Sequence, residues 1–383
     1  METALTAADV LEFQWPYVLA MMPEGLERLA RETGALRRKR GVDSAGTLLR
    51  LALAYALEGM SLRQTAAWAE ARGVASISDV ALLKRLRGAE VWLGQLLGIK
   101  LAERAALSVA EGSRERLRIV DATILNRPGR QGVDLRLHLS YRADRSAIDQ
   151  VELTTSEQGE SLTRFQVAPG ETVLADRGYA HRRGLWAVAA GGGYCIVRLN
   201  WQNVPLQRPD GQPFDLLAAL RSLPEAQAGD FPVQTAPDPA AGLPAIPGRL
   251  VAIRKSEPAA AYSRAHVWQG HNRQGYRADW RTVETAAYVF VFTNHPTLPA
   301  GEVLEWYRFR WQIEMTFKRL KGLLTIDEIA ARDLHLARSY LYAKLLLALL
   351  LEDLTERMLA FPPWGLPPGA AALPLADAAV AAG

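Results

Sequence analysis

Cysteine is nearly absent: the 383 residues include one, Cys195, in the apolar run GYCIVRL. A disulfide within the chain and a multi-thiolate metal site are excluded by count, and Cys195 reads as a small buried hydrophobe. Neither sign of charge dominates, since 45 Lys and Arg against 41 Asp and Glu leave +4. No global field draws nucleic acid to such a chain, so any such binding rests on local clusters. Long apolar runs are missing. Leu345 to Leu351, between Lys344 and Glu352, is too short to span a bilayer. The N-terminal METALTAADVLEF is acidic and lacks the charge pattern of a signal peptide. These absences predict a reducing, cytoplasmic setting. What is present is 49% hydrophobic and 22% charged, the balance of a globular chain with room for two or three domains.

Residues 1–112 read as helical. LRLALAYALEGM (49–60) and VALLKRLRGAEVWLGQLLG (80–98) carry apolar faces at helical period. Ser61 to Gly73 reads as a capped helix with a glycine stop, and Ile77-Ser78-Asp79 caps a second through Lys84, Arg85 and Arg87. Two readings stand: a helix-turn-helix whose second helix enters a major groove, or a helical bundle with a basic surface. The run Arg37, Arg38, Lys39, Arg40 is either a solvated helix end or a phosphate contact.

From Arg114 the texture changes. LRIVDATIL (117–125) reads as a buried central strand with Asp121 in its middle. A carboxylate there is costly unless compensated. VDLRLHLSYR (133–142) and AIDQVELTT (147–155) read as a hairpin pair, and Gly159 to Phe165 as a short helix. TVLAD (172–176) is a strand ending in an acid, followed by a helix to about Ala190 and a strand over Tyr194 to Leu199. Together these predict an α/β mixed sheet. Residues 200–285 interrupt it with a Pro-, Ala- and Gly-rich loop (224–247), strands at RLVAIRK (249–255) and AHVWQG (265–270), and a helical segment near 257–264. They read as an inserted subdomain. A strong strand resumes at Ala287 to Thr293. Helices are expected over 334–360 and a disordered Pro- and Ala-rich tail over 361–383.

WYRFRWQIEMTFKRLK (306–321) is expected to form one helix. With Arg310 at zero, Tyr307, Glu314, Lys318 and Lys321 fall at roughly 60°, 40°, 80° and 20°. Trp306, Ile313, Phe317, Leu320 and Leu324 form a neighbouring apolar stripe that packs down. Glu314 among cations fits ordinary i,i+4 pairing on a solvated helix. The other reading is a metal-binding carboxylate flanked by phosphate-binding cations, and charge spacing alone favours the first, since i,i+4 pairs are common. Asp121 and Asp176 on strands tip the balance. Hard oxygen ligands without Cys or His suit Mg²⁺ or Mn²⁺, and a pair of such ions can activate an attacking oxygen and stabilise a leaving one.

Tyr307, Arg310, Glu314 and Lys321, with IVDAT around Asp121 and LADRGY around Asp176, resemble the Y-R-E-K signature of the insertion sequence 4 type of bacterial DDE transposase. The resemblance covers about residues 114 to 325. It implies an RNase H-like catalytic domain in two parts, 113–199 and 286–333, split by a mainly β insertion over 200–285. An all-helical DNA-binding domain over 1–112 precedes it. It implies cut-and-paste transposition: a nick at the element end, a hairpin made by the freed 3′-OH, hairpin opening, and joining to target DNA. Asp121, Asp176 and Glu314 are then the ligands of two Mg²⁺ ions, with Mn²⁺ as a substitute. Tyr307, Arg310, Lys318 and Lys321 contact phosphates near a flipped base, and Trp311 borders it. In relatives a Trp on the preceding strand stacks on that base. Here the strand holds Tyr288, Phe290 and Phe292, leaving Tyr288 as the candidate. The implied partners are double-stranded DNA, as element terminal inverted repeats and target, and a second copy of the chain in a homodimer. The expected location is the nucleoid. Two alternatives are kept: a catalytically silent DNA-binding descendant, and an RNase H-like nuclease.

Overall fold

The computed structural model describes residues 15–57, 59–110, 116–129, 134–143, 147–155, 157–225, 227–273 and 278–360, with backbone alone for 105–110, 271–273, 323 and 355–360. The expected tail over 361–383 and the boundary at 112/113 lie outside the described residues. The chain divides into two compact units, Met1–Lys100 with Ser339–Gly383, and Leu101–Arg338.

The first unit is helical. It holds α1 (Trp15–Ala20), α2 (Leu26–Glu32), α3 (Ala45–Leu57), α4 (Leu62–Ala71), α5 (Asp79–Gly88) and the start of α6 (Glu90–Ala110). The caps read from sequence form. The Ser61 hydroxyl accepts from Gln64 N–H at 3.3 Å while the Gln64 amide oxygen accepts from Ser61 N–H at 2.9 Å, a reciprocal pairing of orphan donors. Ser78 caps α5. Leu48, Leu82, Leu86 and Trp92 are fully buried, as are Leu341 and Leu346 from the last helix, α13 (Leu334–Ala360), which replaces the several helices expected there. Over Leu334–Leu354 α13 is long and apolar enough to cross a membrane, unlike the short run judged from sequence, but most of that span is buried.

The second unit is built on one mixed sheet. Among the described residues it has nine strands in the order β3-β2-β1-β4-β5-β9-β8-β7-β6. β1 (Leu117–Leu125), β2 (Leu135–Arg142) and β3 (Ala147–Thr155) form an antiparallel meander. β4 (Thr172–Ala175) and β5 (Tyr194–Arg198) add in parallel to β1, with α7 (Arg182–Ala190) crossing between them, as a parallel connection requires. The short helix expected near Gly159 to Phe165 is a 3-10 turn over Leu162–Arg164.

Three readings of the later chain are corrected. AHVWQG is not a strand: it continues α9 (Glu257–Arg273), because a helix nucleated in the Ala259–Ala261 run propagates at little cost. The region 200–285 is mixed rather than mainly β. With β6 (Leu206–Gln207), β7 (Ala228–Thr235) and β8 (Pro247–Arg254) it carries α8 (Leu216–Arg221), α9 and α10 (Trp280–Thr285). Its strands also extend the main sheet, since β8 pairs antiparallel with β9 (Tyr288–Thr293), which pairs with β5. Finally, 306–321 is not one helix. α11 (Ala300–Arg308) and α12 (Trp311–Leu324) are separated at Phe309 and Arg310, whose N–H groups donate to Trp306 and Tyr307 carbonyls three residues back. That tighter turn re-aims the side chains around it.

Candidate active site

β1 and β4 run parallel with Val120 opposite Ala175. One residue further along each strand are Asp121 and Asp176, at the same edge of the sheet. Asp121 continues β1, whereas Asp176 leaves β4 and opens the 3-10 turn Arg177–Tyr179. α12 packs over β1 by burying Ile313, Phe317, Leu320 and Leu324, the stripe expected to face down. This presents Glu314, in the first turn of α12, above the edge.

The break between α11 and α12 gives Tyr307 and Arg310 separate targets. The Tyr307 hydroxyl donates to Asp176 Oδ1 at 3.4 Å. Arg310 Nη2 donates to Glu314 Oε1 at 2.5 Å, and its Nη1 lies 3.8 Å from Asp121 Oδ2. One guanidinium thus links the two carboxylates. Burial pushes the Asp121 acid up to about 6, helped by the negative charges of Asp176 and Glu160 and opposed by the Ala122 N–H and Arg310. Burial, with Asp176 beside it, raises the Tyr307 hydroxyl to about 12. Tyr307 is therefore a neutral donor near pH 7.

Trp311 is 55% exposed at the start of α12. Lys318 is exposed and Lys321 half-buried further along the helix. Tyr288 is 7% exposed, its ring packed in the core beside Phe290 and Phe292, so it offers no free face for stacking.

Several groups at this edge escape sequence reading. Glu160, between β3 and β4, faces Asp121 and Asp176 and is raised by burial and by Asp176. A Cβ on Gly178 would lie 1.6 Å from its Oε2, so the glycine of the LADRGY segment makes room for this carboxylate. Arg198 ends β5 one register step from Asp176, since Ala175 pairs with Val197. Its Nε is buried without a partner. Arg177 is lowered by burial and by Arg198, and Lys255, just past β8, is lowered by burial and by Arg198 and Arg177. These cations form a positive flank to the acidic edge. No local pattern marks them; only the strand register groups them.

Among the described residues no three His, Cys, Asp or Glu side chains are close enough to share one cation. The donor chemistry nevertheless fits a hard divalent ion. The groups are carboxylate oxygens, burial raises Asp121 to about 6 so that a cation beside it is favoured, and a cationic guanidinium already bridges Asp121 and Glu314.

Residues 112–351 match the family model described as transposase DDE domain. The chain is 39% identical over 356 residues to the putative transposase InsL for insertion sequence element IS186A of Escherichia coli strain K12, covering 91% of this chain and 96% of that protein. It is 39% identical over 357 residues, with the same coverage, to the transposase for insertion sequence element IS421 of Escherichia coli. A solved structure, the cryo-EM piggyBac transposase synaptic complex with hairpin DNA, aligns at TM-score 0.38 and 9% identity over 92% of this chain and 82% of that one. At that level it bears on neither fold nor activity.

Proposed function

Because the chain belongs to the bacterial insertion-sequence transposases with a DDE domain, we propose that Asp121, Asp176 and Glu314 form the centre at which it cuts and rejoins DNA at the ends of a mobile element. The finer assignment is to the insertion sequence 4 type, with Tyr307, Arg310, Glu314 and Lys321 as its Y-R-E-K residues. The observation that most directly supports this reading is the meeting of Asp121, next in register to Asp176, with Glu314 through one Arg310 guanidinium. The antiparallel meander followed by parallel β4 and β5 supports an RNase H-like catalytic core. The division into a helical end-binding region (1–112) and a catalytic core split around 200–285 belongs to the same proposal.

Asp121, Asp176 and Glu314 would hold two Mg²⁺ ions, which Mn²⁺ can replace, and these supply activation of the attacking oxygen and stabilisation of the leaving one. The protein's own groups position the strand. Arg310, Lys318 and Lys321 neutralise phosphates, Arg198 and Lys255 extend that field along the sheet edge, and Tyr307 donates a hydrogen bond. A first cut frees a 3′-OH, which attacks the opposite strand to give a hairpin. The hairpin is then opened by water and the 3′-OH joined to target DNA. Two copies of the chain pair the two element ends.

The test is incubation of the purified chain with DNA bearing its own element ends and Mg²⁺. Expected are nicked, hairpin and joined products, all lost in Asp121→Ala. Cleavage without hairpin or joining would mark a nuclease. Binding without nicking would mark a silent DNA-binding protein. Cleavage surviving Asp121→Ala would remove that residue from the chemistry.

A further inference from the structure

The basic run Arg37, Arg38, Lys39, Arg40 belongs to neither helix that flanks it. α2 ends at Glu32 and α3 begins at Ala45, and the run lies in the connection between them. Both sides of the run are anchored: Leu36 and Val42 are buried, while all four cations are exposed. α5 fixes the middle. Arg85 on α5 donates from Nη2 to the Arg38 carbonyl and, at 3.1 Å, to the Arg40 carbonyl. Gly41 closes the run at φ 69°, and a Cβ there would lie 2.9 Å from the Ser76 carbonyl oxygen in the turn leading into α5. The loop backbone is thus seated against the entry to α5, and its four side chains are left to solvent.

These charges have no partner of opposite sign. Among the described residues none of Arg37, Arg38, Lys39, Arg40 and Lys84 forms an ion pair. The acids nearest the run in the chain are engaged elsewhere: Glu32 lies 3.8 Å from Arg28, and Asp43 accepts from Thr47 Oγ1 at 2.6 Å. Four adjacent cations repel one another, and a polyanion relieves that repulsion. α5 adds a face beside them. It buries Leu82 and Leu86. With Leu82 at zero, Val80 and Lys84 fall at about 160° and 200°, together and opposite the packed side. Val80 is 57% exposed and Lys84 is exposed. The one acid of α5, Asp79, lies to the side of this face and accepts from Val80 N–H at 2.8 Å.

Duplex DNA fits this surface. In the major groove thymine shows a methyl group and guanine two acceptors, which suit an aliphatic tip beside a cationic one, while a row of cations suits the phosphates alongside. A single strand fits worse, because neither the loop nor α5 carries an aromatic ring for an unpaired base. A second copy fits worse too: a two-fold contact would set cation on cation.

We propose that α5 enters the major groove of the element-end duplex with Val80 and Lys84 at the base edges, and that loop 37–40, held by Arg85, grips the phosphates beside it. This names the reading surface of the end-binding region, and rests on the transposition reading for the identity of the DNA.

The experiment uses the full chain as Asp121→Asn, so that bound DNA stays uncut. Two labelled duplexes of equal length, one with the chain's own element end and one of unrelated sequence, are titrated at several salt concentrations, following anisotropy. The parent should prefer the element end. Lys84→Ala and Val80→Ala should each weaken element-end binding by roughly 5-fold or more, with the unrelated duplex unchanged. Arg38→Ala and Lys39→Ala should weaken both duplexes alike, each lowering the slope of log affinity against log salt by about 1. All four positions are exposed, and circular dichroism checks the fold. Four results overturn the proposal: a parent that binds neither duplex, α5 variants that keep the parent's preference, loop variants that keep its salt slope, or a single strand bound as tightly as the duplex. Cleavage of element ends by chains with Asp121 intact is read separately. Ends cut normally by Lys84→Ala sink this surface alone. A chain that holds its ends through α5 and makes no cut supports the surface and sinks the transposition reading.

Discussion

Arg310 and Asp121 lie 3.8 Å apart, Nη1 to Oδ2, with the same guanidinium bonded to Glu314. A side chain expected to hold phosphate thus doubles as counter-ion to the carboxylates when no other cation is near.

Removing that counter-ion should separate two roles. Arg310→Ala leaves Asp121 and Glu314 without their bridging cation, so divalent-ion affinity should rise or hold. Cleavage should nevertheless fall by roughly 10- to 100-fold, because a strand-positioning cation is gone. Isothermal titration with Mn²⁺ alongside a cleavage assay reads both. Ion affinity falling in step with cleavage would mean that Arg310 orders the carboxylates.

Glu160 and Gly178 should behave as a coupled pair. Gly178→Ala places a methyl 1.6 Å from Glu160 Oε2 and must displace that flexible side chain, at about 1–3 kcal/mol. In Glu160→Ala the same methyl meets no other atom closer than 3.7 Å. A double-mutant cycle by urea unfolding should therefore show that Gly178→Ala costs much less in the Glu160→Ala background. Additive costs would show that the glycine is needed for another reason.

The buried charges behind β1 should be the costliest to unbalance. Arg118 bonds Ser140 at 2.6 Å, Asp149 at 2.8 Å and Glu171 at 3.0 Å, and Arg142 also reaches Glu171 at 3.3 Å. These contacts clamp β1, β2, β3 and the approach to β4, which sets the level of Asp121 against Asp176. Arg118→Met leaves two buried acids, Asp149 and Glu171, to share the one remaining cation, Arg142, and should cost about 3–5 kcal/mol, measured as a lowered urea midpoint. A loss below about 1 kcal/mol would show that the cluster is solvated in solution.

His138 predicts an acid limb of stability. It is fully buried on β2, its Nε2 2.9 Å from Thr154 Oγ1 and its Nδ1 3.4 Å from Tyr179 Oη. Burial, with Arg164 and Arg136 nearby, lowers it to about 4 from 6.5. The unfolded chain then binds a proton that the folded one does not between these values. Stability contributed by neutral His138 is complete above about pH 6.5 and is lost as pH falls towards 4, by an amount on the order of 2–3 kcal/mol. His138→Gln should flatten that slope in urea titrations from pH 7 to pH 4. An unchanged slope would assign it to other groups.

Legibility followed range along the chain. LRIVDATIL could be read as a buried strand because nine successive residues carry the signal, and β1 spans Leu117–Leu125. Ser61 and Ser78 could be read as caps because cap and helix are neighbours. The 306–321 segment misled because its charge spacing obeys a helical period through residues 309 and 310, where the backbone tightens. AHVWQG misled for a related reason: a short alternation cannot outweigh helix formers just before it.

By itself the sequence determined the strands β1 to β5 and β9 and the helical character of the first unit, which acids stand where β1 and β4 lead, and the family, since each depends on residue types at short spacing or on likeness along the whole chain. The tertiary structure alone decided that Arg310 bridges Asp121 and Glu314, that Glu160 fills the space above Gly178, that β7 and β8 prolong the main sheet, and that loop 37–40 is seated against α5. Those facts depend on strand register and helix packing between residues distant in the chain, and no local periodicity carries that information.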